Sequence, residues 1–285
     1  MDCDLAILCN GTTTGYRSVI DHLNRRGTDL LFLELGWFPQ NSTVQIDASG
    51  INADASWVSE TQVDPGPTPI SLRPTSELLV LLQHEKDTQI TCHSPHFREM
   101  SGFVEHLARH SEMPLRIREH PRFPAGPAVS RVAAKYGIPF ERFSSLRESL
   151  QQCRAVACIN SSAAVEALTQ RIPVLCFGRA IYRDPSAVYC MGPQGSDVTA
   201  VTGELARGIC TLSTAGVDAM VKRITEHQWS ENTIRDRLPN FVENILNERS
   251  APISQTNVLW SDHMRALPTL WTTYLYPKLT RTHTD

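Results

Sequence analysis

Short aliphatic runs separated by helix-like stretches recur along this chain, and that alternation constrains its fold more than any other feature. Residues 4–9 form one apolar run, Gly11 to Gly15 turns the chain, and residues 16–26 place Val19, Ile20 and Leu23 on one helical face ahead of Gly27. Leu30 to Leu33 reads as a second strand. The resulting β-α-β opening favours parallel strands. The rhythm breaks from Gly36 to Pro74, a stretch rich in Pro, Gly, Asn, Ser and Asp. An irregular segment of that length inside a compact domain is usually functional, so an ordered excursion over a cleft is expected there.

Regular structure resumes with strands at Glu77–Gln83, Leu115–Arg118, Ala155–Ile159 and Val174–Phe177. Between them lie a polar loop at 83–95, helices near 97–110, 129–136, 146–152 and 163–169, and a short strand after Pro139. Beyond Asp197 the chain reads as mostly helical, and a tail carrying Trp260, Trp271, Tyr274 and Tyr276 is expected to pack back on the body, because aromatic rings bury large areas. The expected architecture is α/β with two Rossmann-like lobes, 1–112 and 113–248, a central cleft, and a helical C-terminal tail at 249–285. Ligands of such sheets bind beyond the carboxyl ends of the strands.

Composition narrows the function. Hydrophobic residues make up 41% of the 285, charged residues 20%, and the formal net charge is -3 with the two signs mixed. Without a basic stripe the chain does not read as a nucleic-acid binder. No apolar run is long enough to span a bilayer, and the N-terminus lacks a signal peptide's pattern. A cytoplasmic protein is expected, with room for peripheral attachment to membrane assembly machinery at the inner face. The eight cysteines form no C-x-x-C pair, and Cys92, His93 and His96 have no second cluster to complete a zinc site, so neither metal nor cofactor is expected.

Three polar clusters follow strands, where a site belongs. The first is Gln83-His-Glu-Lys-Asp87-Thr-Gln89, the second Glu119-His120-Pro121, the third Asn160-Ser161-Ser162 with Glu166 a turn further on. The free N–H groups of a helix's first turn favour an anion, and the serine hydroxyls add donors; Asn and Ser are equally the preferred helix caps. Glu166 could accept from a ribose hydroxyl. His120 could hold a phosphate and hydrogen-bond it as it leaves, or be a surface histidine. Asp87 could be a base or a nucleophile at an anomeric carbon, or a solvated loop acid. Glu34, closing the second strand, is a second carboxylate of the kind glycosyl chemistry employs. The Gly11–Gly15 loop fits neither G-x-G-x-x-G nor a Walker A pattern.

In order, these segments resemble bacterial capsular polysaccharide biosynthesis proteins, including the β-Kdo transferases, which use CMP-activated 3-deoxy-manno-octulosonic acid (Kdo). Leu33-Glu34-Leu-Gly36-Trp-Phe-Pro39 and Ile46-Asp47-Ala-Ser-Gly50-Ile-Asn52 look like two early family segments. Gln83, Asp87, Gln89-Ile90 and Ser94 look like "Q-x-x-x-D-x-Q-I", and Arg118-Glu119-His120-Pro121-Arg122 like "K-x-H-P", with Glu119 where a basic residue is usual. Asn160-Ser161-Ser162, Glu166-Ala167-Leu168, Pro173-Val174, Gly178 and Tyr182 look like "N-S-x-x-x-x-E-A-L…P-V…G-x-x-x-Y".

The resemblance implies a GT-B glycosyltransferase moving a Kdo-like sugar from a CMP-linked donor to a glycan or glycolipid. Asp87 would act at the sugar with Glu34 as acid/base, and either a retaining double displacement or a direct displacement is open. His120 with Pro121 and Arg122, Asn160, Ser161 and Ser162 would meet the nucleotide phosphate, and Glu166 the ribose. Gln83, Gln89, Ser94, Gly178 and Tyr182 would complete the donor site. A polyol-phosphate transferase of the same architecture and a non-catalytic nucleotide-binding partner in polysaccharide assembly or export are the alternatives.

Overall fold

The computed structural model describes residues 4–12, 14–59, 66, 68–141 and 145–247. Strands β1 (Leu5–Cys9), β2 (Asp29–Leu35), β3 (Thr43–Asp47), β4 (Leu78–Leu81), β5 (Leu115–Arg118), β6 (Ala155–Cys158), β7 (Val174–Cys176), β8 (Tyr189–Cys190) and β9 (Gln228–Ser230) form two sheets. The helices are α1 (Thr14–Arg25), α2 (Thr88–His93), α3 (Met100–His110), α4 (Pro127–Tyr136), α5 (Leu146–Gln151), α6 (Ala163–Thr169), α7 (Gly195–Ala206), α8 (Thr214–His227) and α9 (Glu231–Asn247). The chain divides into one unit of Met1–Glu60 with Thr225–Asp285 and a second of Thr61–Ile224.

That division corrects the boundary expected at 112/113. β4 and β5 lie on either side of it, yet they pair in parallel, Leu78 with Leu115 through Leu81 with Arg118. Splitting the chain there would break a continuous ladder. The expected tail at 249–285, with its Trp and Tyr residues, lies outside the described residues.

In the first unit the sheet order is β1-β2-β3-β9. β1 and β2 are parallel, as the β-α-β pattern requires, while β3 runs antiparallel to both β2 and β9. The segment expected to be irregular therefore supplies a buried strand. Its polar side chains are absorbed locally. Gln45 Nε2 donates to Leu35 O (2.8 Å) and Asn52 Oδ1 (2.9 Å), and its Oε1 accepts from Asn52 N–H (2.7 Å). Asp47 accepts from the N–H groups of Ser49, Gly50 and Ser56 and from the Ser56 hydroxyl. Gly36 is needed because a Cβ there would lie 2.1 Å from Thr43 Oγ1. One face of the sheet packs Leu5, Ile7, Leu31, Leu33, Val44 and Ile46 against Ile234 and Leu238 of α9, and the other packs Leu8 and Phe32 against Tyr16 and Ile20 of α1.

The second unit holds a parallel sheet in the order β5-β4-β6-β7-β8. Residues 78–81 and 155–158 are at most 3% exposed, because helices cover both faces of such a sheet, which is why these strands read as continuous aliphatic runs. Helix ends follow local chemistry. Pro127 opens α4, Gly137 closes it at φ 65°, and Ser145 and Glu148 form a capping box on α5. The strand order is the doubly wound 2-1-3-4-5 arrangement, which reverses direction between β4 and β6. The crevice beyond their carboxyl ends is where a ligand site is expected.

Candidate functional site

Two of the polar clusters meet at that switch point, and the one at His120 follows β5 on the outer side of β4. Gln83 follows β4 and Asn160 follows β6, and they hydrogen-bond reciprocally. Gln83 Nε2 donates to Asn160 Oδ1 (2.9 Å), and the Asn160 backbone N–H donates to Gln83 Oε1 (3.0 Å). Asn160 Nδ2 donates to the carbonyls of Gln89 (2.7 Å) and Arg179 (3.2 Å). At 4% exposure, with both Nδ2 protons donated and Oδ1 accepting from Gln83, Asn160 is a latch rather than a ligand contact. Gly178 is required beside it, since a Cβ would sit 3.1 Å from Asn160 Nδ2 and 2.8 Å from Ile159 Cγ2. Replacing Asn160 with Ala leaves several buried partners unpaired and should lower stability by about 2 kcal/mol. A chemical denaturation series reads this as a lower midpoint at unchanged slope, and an unmoved midpoint would refute the latch.

The expected polar loop at 83–95 contains α2, and Asp87 is its N-cap, with Oδ1 accepting from Gln89 N–H at 2.8 Å. The turn before it is anchored by Glu85, whose Oε1 accepts from Met100 N–H (2.7 Å) at the start of α3. Asp87 itself is exposed, and its second oxygen lies outside the cap.

His120 is the first residue of the turn that follows β5. Its Nδ1 accepts from Arg122 N–H (3.2 Å), so a neutral ring carries its proton on Nε2. Burial and the Arg122 guanidinium hold His120 below the ordinary value of 6.5, against the pull of Asp87, with His84 adding to the depression. The unfolded chain therefore takes this proton first. The contribution is unfavourable and grows as pH falls from about 6.5. An NMR titration should find His120 below the ordinary range, and Arg122→Gln should raise it. Glu119, where a basic residue is usual, accepts from Ala125 N–H (2.6 Å) and serves as the loop's own brace.

In the third cluster, Ser161 Oγ accepts from Ala163 N–H (3.2 Å), and Ser162 is the N-cap of α6 without a side-chain capping bond. Burial raises the Glu166 carboxyl, while Arg118 and Arg147 oppose it. Arg118 is held by Glu141 and by Ser149 Oγ (2.7 Å).

Two predicted contacts are internal. Tyr182 is 1% exposed, and its hydroxyl donates to Ser161 O (2.8 Å). Ser94 is 1% exposed and donates to Phe97 O. Both brace the site from behind and are corrected from ligand contacts to structural ones. Gln89 contributes its backbone. Pro121 and Arg122 are exposed on the β5 turn. Glu34 belongs to the first unit. Its Oε2 accepts from Asn10 Nδ2 and its Oε1 from Leu35 N–H, each at 2.9 Å.

Asp87 was expected from a different lobe than His120, yet both lie on turns that follow neighbouring strands of one sheet. Sequence reasoning missed His84 and Phe123 as a pair. Their rings stack at 3.9 Å and 14°, with Phe123 5.1 Å from His120. The available signal was the matching spacing of His84 to Asp87 and of His120 to Phe123 after two strands.

Polar side chains gather beyond the carboxyl ends of a parallel, doubly wound sheet, the place where α/β proteins of this kind present their ligand sites. Residues 37–186 match the family described as capsule polysaccharide biosynthesis protein, and the chain belongs to that family. It is 29% identical over 206 residues to Protein FixF of Sinorhizobium fredii, an alignment covering 64% of this chain and 49% of that protein. The chain thus spans about half the length of that curated relative. Among solved structures it is similar to the beta Kdo 2,7 transferase of Thermosulfurimonas dismutans KpsC, with TM-score 0.49 and 16% identity over 77% of this chain and 85% of that one. The beta Kdo 2,4 transferase of the same KpsC gives TM-score 0.42 and 10% identity over 84% and 86%. Among the described residues, no helix is long and apolar enough to cross a membrane.

Proposed function

We propose that this chain is a glycosyltransferase of capsule or surface polysaccharide biosynthesis that moves a Kdo-like sugar from a CMP-linked donor to a glycan or glycolipid. The observation that carries the reading is that Asp87 and His120 stand on adjacent turns beyond β4 and β5, near enough for the carboxylate's charge to act on the imidazole, in a chain of this family. The two units then correspond to the lobes of a GT-B enzyme, the second holding the donor.

In the retaining form of the reaction, the outward oxygen of Asp87 attacks the anomeric carbon as the carbon–oxygen bond to phosphate breaks. CMP leaves with the electron pair, hydrogen-bonded by His120 Nε2–H and by the Ser162 hydroxyl, with Arg122 supplying positive charge. An acceptor hydroxyl then displaces Asp87 and gives its proton to solvent or to a base brought up with the acceptor. In a direct displacement Asp87 takes that proton itself. The donor is the substrate, and neither a metal nor another cofactor enters these steps. The reading places the chain in the cytoplasm, docked peripherally where the polymer is assembled.

Incubation with CMP-Kdo and a panel of nucleotide sugars, with glycolipid acceptors present, should release CMP. No release from any donor would sink the transfer reading. Thermal unfolding separates the alternatives, because a ligand of the folded state raises the midpoint. Protection by CDP-glycerol rather than CMP points to polyol-phosphate transfer. Protection by CMP without turnover points to a nucleotide-binding partner in polysaccharide assembly.

A further inference from the structure

The turns that follow β4 and β5 are built alike. Each begins with a histidine and closes with a hydrogen bond three residues on. Asp87 N–H donates to His84 O (2.9 Å), and Phe123 N–H donates to His120 O (3.2 Å). Pro121 stands at the second position of the latter turn, where its fixed φ is favoured. The ladder pairs Leu81 with Arg118, so the two turns leave the sheet at nearly the same level.

Their contacts are crossed. His84, at the start of the first turn, lies flat on Phe123, at the end of the second, with ring centroids 3.9 Å apart. Asp87, at the end of the first, acts electrostatically on His120, at the start of the second. Phe123 is 43% exposed, so its place is set by the turn and by His84 rather than by burial in a core. We propose that His84 is a positioning residue: stacked on Phe123, it clasps the turn carrying Asp87 to the turn carrying His120 and fixes the spacing of acid and imidazole. This deepens the transfer reading and rests on it for its catalytic meaning, but its test needs no substrate and stands or falls separately.

An aromatic stack favours the closed arrangement by roughly a factor of two to ten. The charges facing His120 are Arg122 on its own turn and Asp87 and His84 on the other; Glu119, its chain neighbour, is engaged with Ala125. A double-mutant cycle on the full chain, read as the His120 titration by NMR, isolates the clasp.

Asp87→Asn removes a charge that raises the His120 pKa and should lower it further. With His84→Ala in place, the same change should move His120 by less than about half that amount. With His84→Phe, which keeps a flat ring but cannot titrate, the full response should return. Should His84→Ala fail to fold, His84→Leu supplies bulk without a flat ring and must behave as Ala is expected to. An equal response in all backgrounds overturns the clasp. So does no response in the otherwise unsubstituted protein, or a response that His84→Phe fails to restore.

Discussion

Asp87→Asn is expected to lower sugar transfer at least about a thousandfold while leaving the fold intact. The substitution is chosen for its separation of two roles. Asp87 Oδ1 caps α2 through Gln89 N–H, and Asn caps a helix about as well as Asp. The amide cannot act as nucleophile or base at the anomeric carbon, so chemistry is lost and the cap kept. Asp87→Ala removes both and should cost about 1 kcal/mol of stability as well. Circular dichroism and thermal melts report the fold, and CMP release reports the chemistry. If Asp87→Asn retained near-normal turnover, Asp87 would be a cap and nothing more, and the proposed mechanism would lose its reacting group.

Glu141→Ala should cost about 3–5 kcal/mol, the loss found when one partner of a buried ion pair is removed. The Glu141 side chain is 4% exposed and faces two guanidiniums. Arg118 donates to its Oε1, Arg116 stands 3.9 Å from its Oε2, and the Ser149 hydroxyl donates at 2.7 Å. Its removal strands Arg118 at the end of β5 two residues from His120, while Arg116 keeps Glu77 at 2.9 Å. The comparison is the Arg171–Asp218 pair. Its bidentate geometry is good, at 2.9 and 2.8 Å, but its side chains are 54% and 48% exposed. Asp218→Ala should cost below about 1 kcal/mol, because water screens an exposed pair and the side chains lose entropy in forming it. Urea titrations of the two variants would settle the contrast, and equal losses would contradict it.

The strands of the second unit were legible because a parallel sheet covered on both faces must be written as unbroken aliphatic residues, as at Leu78–Leu81 and Ala155–Cys158. β3 was harder to read. Thr43, Gln45 and Asp47 alternate with Val44 and Ile46 at the period of a strand, but over only five residues set among Pro, Gly, Asn and Ser, and the polar face is buried because Asn52, Ser56 and Gln228 absorb its groups. β9 is three residues long, and it joins the first sheet beside β3, 183 to 187 positions away in the chain, in the pairs Gln45–Gln228 and Thr43–Ser230. No local pattern encodes a partner at that distance.

The candidate site divides in the same way. Residue types and their order after strands were enough to single out Asp87, His120 and the Asn160 cluster, because the carboxyl ends of strands are where such chemistry is presented. The likeness of the ordered motifs to capsule proteins was also present in the amino acids themselves, and the match over residues 37–186 agrees with it. What one dimension could not hold was adjacency. β4 is second in its sheet with β5 outside it and β6 inside, so chain order alone does not say that Asp87 and His120 share a sheet edge. Nor does it say that Asn160, Ser94 and Tyr182 face inward. Strand order decided those points, since hydrogen-bonded ladders join segments by register rather than by sequence, and with them it decided that His84 lies on Phe123.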